Sequence, residues 1–113
     1  MIFELPDQCY PRPNARDEKH LRETFANAVM REVSNAERKF PLFPVRPVYM
    51  TAIVQEECGE AVKEAIDIEF QHKPFSSVQL QTELIQTAAM CYRAWLVLVS
   101  DFPVQQPKSK KKT

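Results

Sequence analysis

The prolines of this chain fall in clusters, and its single glycine leaves almost no means of building it from tight turns. Pro6, Pro11 and Pro13 open the chain, Pro41, Pro44 and Pro47 form a second group, Pro74 stands alone, and Pro103 and Pro107 close it. Long proline-free stretches lie between them. Hairpin turns need positive φ, which glycine supplies most readily, so one glycine argues against a protein of many short strands. Helices joined by proline-bounded connections are what such punctuation allows. The expected fold class is all-α, a bundle of about three main helices.

Periodicity places those helices. Leu21, Phe25, Ala28, Val29 and Val33 share one face of a helix predicted from about Asp17 to Lys39, with Asn14 or Asp17 as its N-cap. A second helix is predicted to start near Pro47, where proline is tolerated in the first turn, and to reach about Gln71 before the turn at His72-Lys73-Pro74. Ser76 or Ser77 caps a third, running to about Ser100. That third helix is apolar on nearly every side, through Leu80, Leu84, Ile85, Ala88, Ala89, Tyr92, Trp95, Leu96 and Val99. A helix of that kind has to be enclosed, and three helices from one small chain do not enclose it easily. Self-association into a shared four-helix-type core is therefore the physical expectation.

The resulting division is an irregular N-terminal arm over residues 1–16, laid on the body through Phe3 and Tyr10, an all-α domain over 17–101, and a disordered lysine-rich tail over 102–113. A chain of 113 residues makes one domain at most. Basic and acidic residues number 15 each, so net charge gives no reason to expect a nucleic-acid or membrane partner. No apolar run approaches the ~18 residues that span a bilayer. Cys9, Cys58 and Cys91 form no CxxC pair and no metal-ligand spacing with His20 or His72, which reads as reduced thiols in a cytoplasmic protein. Cys58 and Cys91 fall inside helical segments and are expected to be small packing residues. His20 and His72 fall in surface stretches.

The chemistry is carried by acids. In VQEECGEAVKE, Val54 to Glu64, Glu57 and Glu60 are three apart and leave one face of a helix. Glu83 and Gln86 repeat that spacing in LQTELIQTAAMCYRAW, Leu80 to Trp95. The stripe that carries Glu57 is otherwise apolar, with Met50 and Val54 before it and Ala61 and Ile68 after it. A carboxylate on a core-facing stripe is unfavourable unless compensated, and a divalent cation compensates several converging acids at once. The two helices are thus expected to pack side by side with their acidic pairs facing across a magnesium site. Each glutamate taken alone reads more readily as part of a solvated helix face, and it is the constellation of four residues that points to a metal.

EECGE and ELIQ together resemble the EExxE and ExxD motifs of the all-α, MazG-like nucleoside triphosphate pyrophosphohydrolases, a group related to the dimeric dUTPases. Residues 61–82 separate the two motifs, a usual spacing for that family, and the likeness covers roughly residues 40–99. The resemblance implies a magnesium-dependent enzyme, with manganese as an alternative ion, in which water attacks the α-phosphorus of a nucleoside triphosphate and releases a monophosphate and pyrophosphate. It implies a homodimer or homotetramer. It maps Glu57, Glu60, Glu83 and Gln86 onto the metal ligands, and Glu56 onto a residue that holds a ligand or orients the attacking water, so that Glu56 and Glu57 are the catalytic pair. Gln86 departs from the family's aspartate and brings an oxygen without a charge, which weakens a metal site or makes it depend on phosphate oxygens from the substrate.

Phosphates need cations. Arg93, two helical turns after Gln86 on the same face, and Lys63, three residues after Glu60, are the candidates, each with an ordinary ion-pair role as the alternative. Lys39 and Lys73 lie in or near connectors and rank below them, and Gln79 stands where some family members carry a basic residue. In Phe40-Pro41-Leu42-Phe43-Pro44, Phe40 and Phe43 are either a hydrophobic staple between helices or an aromatic wall for a nucleobase. No glycine-rich phosphate loop is present, and no serine or cysteine comes with an identifiable histidine and acid partner. A non-catalytic helical oligomer that binds nucleotide or a protein partner is the alternative to the enzyme, favoured by Gln86 and by the uncertain set of cations.

Overall fold

A computed structural model of the chain describes residues 14–100, and the expectations for the arm before Asn14 and for the lysine-rich tail lie outside them. Helix α1 spans Ala15–Lys39 and begins where a side chain can close its first turn. Asn14 Oδ1 accepts from the Asp17 backbone N–H at 3.1 Å, and Asn14 Nδ2 donates to the Asp17 carboxylate at 2.9 Å. Residues 15 and 16, expected in the arm, therefore belong to the helix, because Asn14 and not Asp17 is the cap. Asp17 and Glu18 in the first turn and Arg38 and Lys39 in the last suit the helix dipole.

Helix α2 spans Pro47–Phe70, with its proline in the first turn where no N–H is missed. Helix α3 spans Val78–Val99, and Ser77 Oγ accepts from the Leu80 N–H at 3.1 Å to cap it. Between α2 and α3 the backbone reverses at His72, which adopts the left-handed region with φ of 60°. No strand occurs among the described residues. The fold is an all-α bundle of three helices.

Helix α3 is the middle of the bundle: it packs against both α2 and α1, while no Cα of α1 lies within 8 Å of one in α2. Val29, Val33 and Ala36 from α1 meet Ala89 and Met90 from α3 in the core, with Ile53, Val54 and Phe43 packed against them. Ala89 is wholly buried, and Met50 of α2 is 1% exposed. With α1 and α2 apart, a cleft remains between them whose floor is α3.

The core is thin. Seven apolar side chains are buried among the described residues, each contributing on the order of 1.5–3 kcal/mol for the larger ones. Leu84, Trp95 and Leu98 stay exposed on the face of α3 opposite its buried side, and Leu21 and Phe25, on the same face of α1 as buried Val29 and Val33, are also half exposed. Cys58 and Cys91 are exposed as well, against the expectation that they pack inside, because each lies on the outward side of its helix. Among the described residues no helix is long and apolar enough to cross a membrane.

Candidate metal and phosphate site

Helix α2 turns Glu57 and Glu60 toward α3, and α3 presents Glu83 to them; one carboxylate oxygen from each lies within 4.8 Å of the others. Glu83 is 7% exposed, Glu57 is partly buried and Glu60 is exposed. Gln79 Nε2, one turn earlier on α3, donates to Glu83 Oε2 at 2.6 Å. The other oxygen, Glu83 Oε1, is buried with no hydrogen-bond partner, and so is Glu57 Oε1. Buried carboxylate oxygens are rarely left unpaired, and here they sit beside like charge. Burial, followed by the charges of Glu60, Glu83, Glu56 and Glu32, raises the Glu57 carboxyl above its ordinary value of 4.5. A small divalent cation fits this donor set: its ligands are hard oxygens, two of them lack any donor, and their mutual repulsion is what a cation removes.

Gln86 follows Glu83 by one turn and is partly buried in the floor of the cleft, alongside Glu57. The cleft holds about 480 Å³ and is built in turns. Glu32 of α1, Glu56 and Glu57 of α2 and Gln86 of α3 form its acidic end. One turn on come Ala36, Ile53 and Met90, and one turn further Phe40, Phe43 and Arg93, with Lys39 and Leu42 at the rim. Phe43 packs against the core, whereas the Phe40 side chain is 67% exposed.

Arg93 is buried, and its Nη2 donates to the Phe40 carbonyl at 2.7 Å while its guanidinium lies 4.8 Å from the centre of the Phe43 ring. It ties the connector between α1 and α2 to α3. Lys63, the other cation read from the sequence, is not in this cleft. It lines a second hollow of about 420 Å³, between α2 and the start of α3, with Glu60, Asp67, Gln79 and Glu83. Lys73 lines the same groove but is held by Glu64, through Nζ contacts of 2.9 and 3.2 Å to its two carboxylate oxygens.

Glu64 and Glu32 are the residues that spacing alone left unremarked. Glu64 is buried and also accepts from Ser77 Oγ at 2.8 Å. Its hydrogen bonds from Lys73 first and from Ser77 next lower its carboxyl below 4.5, and the same contact raises the Lys73 ammonium. Glu32 brings the charge of α1 to the acidic end of the cleft. Both carry the signal used for Glu57. Glu64 falls between Ala61 and Ile68, and Glu32 beside Val29, Val33 and Ala36, so each is a carboxylate on an apolar stripe.

A scan against protein-family models and searches of curated proteins and of solved structures find no match to this chain.

Proposed function

We propose that the chain is a magnesium-dependent nucleoside triphosphate diphosphohydrolase of the MazG-like kind, working as a homo-oligomer on the cytoplasmic nucleotide pool. The observation that carries this reading is the convergence of Glu57, Glu60 and Glu83 within 4.8 Å, with two buried carboxylate oxygens that no protein donor satisfies. Gln86, which lines the cleft with Glu57, would offer a neutral oxygen to the same ion. Magnesium bound there would polarise the phosphate oxygens, offset charge building on phosphorus and acidify a bound water; manganese suits the same oxygens.

The chain's own residues do the rest. Gln79 fixes the rotamer of Glu83 by holding one of its oxygens. Glu56, exposed at the cleft, orients the attacking water and takes its proton. The water oxygen bonds to the α-phosphorus, the bond from that phosphorus to the bridging oxygen breaks, and the bridging oxygen leaves with its electron pair on pyrophosphate. Glu56 passes the proton to solvent. Phe40 and Phe43 offer the base a surface to stack on.

Pyrophosphate release from a panel of ribo- and deoxyribonucleoside triphosphates, with magnesium and with chelator, tests the reading. Turnover is expected only with the metal, and Glu60→Gln is expected to lower it by at least about a hundredfold, as loss of one stabilising group at a reacting centre does. Full activity in Glu60→Gln, or none in the wild type with any nucleotide, removes the proposal.

A further inference from the structure

We infer that the substrate lies in one direction across the acidic cluster, with its nucleoside in the cleft beside Phe40 and Phe43 and its leaving pyrophosphate in the groove beside Lys63. Arg93 is then a positioning residue for the aromatic wall and not a phosphate ligand. This rests on the reading of the site as a pyrophosphohydrolase centre and adds to it which end of the substrate goes where.

Two hollows meet at the cluster. Glu57 lines the cleft, whereas Glu60 and Glu83 line the groove, so a ligand gripped by all three carboxylates has one end in each. The hollows differ in chemistry. Beyond its acidic end the cleft is walled for a full turn by Ala36, Ile53 and Met90, which offer no donor to a phosphate oxygen. A polyphosphate laid along that wall loses hydration and gains nothing in return. A ribose and base lose little there, and the base reaches the aromatic rings: Gln86 to Arg93 is seven residues, about 10 Å of helix.

The cations point the same way. Arg93 is 6% exposed and already committed, to the Phe40 carbonyl at 2.7 Å and to the face of the Phe43 ring. Turning it toward a phosphate would release the connector that forms the wall. In the groove, Lys63 is exposed and carries no hydrogen bond or ion pair among the described residues, and Lys73 stands across from it in the grip of Glu64. Lys63 is therefore the ammonium available to oxygens that leave with pyrophosphate. Lys39, at the rim of the cleft, is the cation that would favour the opposite direction, so it belongs in the test.

The two products separate the two ends. Calorimetric titrations of the full chain in magnesium use inorganic pyrophosphate and, separately, the common ribo- and deoxyribonucleoside monophosphates, of which the tightest is carried forward. Lys63→Met is expected to weaken pyrophosphate by about tenfold or more, as loss of a charge-assisted contact does, and to leave the monophosphate unchanged. Phe40→Ala is expected to do the reverse, weakening the monophosphate by about tenfold through lost stacking. Lys39→Met should leave pyrophosphate at wild-type affinity, and Arg93→Lys should weaken the monophosphate alone. Lys63, Phe40 and Lys39 are exposed, so their variants fold and decide the matter even if Arg93→Lys does not. Pyrophosphate lost with Lys39→Met or kept with Lys63→Met, or a monophosphate indifferent to Phe40→Ala, overturns the orientation while the enzyme reading stands. A wild type that binds neither product in magnesium removes both.

Discussion

At Glu57, burial and like charge act in the same direction, and that makes it the residue whose removal is most informative. Its folded carboxyl binds a proton more tightly than the unfolded chain does, being raised above 4.5 by burial and by its acidic neighbours. Stability therefore falls as pH rises from that value through the raised one, and at neutral pH the ionised group opposes folding. Glu57→Gln removes the charge and keeps the shape. In chelator the variant is expected to melt higher than wild type, by roughly 2–5 °C. Saturating magnesium should raise the wild-type melting temperature by mass action and leave the variant unmoved. Thermal melts with and without the metal check both halves, and a variant that melts lower in chelator would show that Glu57 is held by something other than a cation. The same residue marks how far single positions were legible. An acid on an apolar stripe is visible in the sequence, and the rule that singled out Glu57 applies equally to Glu32 and Glu64. What the rule does not tell is whether such an acid meets other acids, as Glu57 does, or a lysine and a serine, as Glu64 does. That depends on which helix lies opposite.

The elements themselves were readable because their signals are local. Proline bounded them, Asn14 and Ser77 capped them, and the observed ends at Lys39, Phe70 and Val99 fall within a residue of the expected ones. The connectors were less legible, since their conformation is set by contacts distant in sequence. Arg93 reaches back to the carbonyl of Phe40, and Lys73 and Ser77 fold onto Glu64 across the α2–α3 turn. This second contact predicts a pH profile. Glu64 has its folded carboxyl lowered, so its contribution is present above 4.5 and is lost as pH falls through the folded value. Lys73 has its ammonium raised above 10.5, so its contribution is present below that and is lost as pH rises through the folded value. The stability difference between wild type and Lys73→Met is thus expected to be level between these limits and to shrink toward both extremes. Urea unfolding across the pH range measures it. A difference that persists unchanged in acid would mean that Lys73 acts through packing of its stem and not through Glu64.

For the molecule as a whole, the imbalance between a thin core and broad apolar faces is the dominant fact. Leu84, Cys91, Trp95 and Leu98 fall on one stripe of α3, and all are exposed on the side that neither α1 nor α2 covers. Leaving such a stripe in water forgoes about 25 cal/mol for each Å² that burial would remove. A second copy of the chain would offer an identical stripe, and a two-fold axis would let each cover the other, completing the four-helix-type core that the proposed homo-oligomer requires. The chain has one tryptophan, which makes the idea directly measurable. Trp95 is 55% exposed within a single chain, so a monomer emits as a solvated indole. Packed against a second copy, the ring leaves water and its emission moves to shorter wavelength. Dilution is then expected to shift the emission toward the red over the same concentration range in which sedimentation shows the mass falling to that of one chain. Trp95→Glu places a charge in the shared core and should hold the protein at monomer mass, with helix content retained because the position faces outward in each chain. Emission that does not change with dilution, from a wild type that sediments as a monomer throughout, would mean that this face is covered by something other than a second copy.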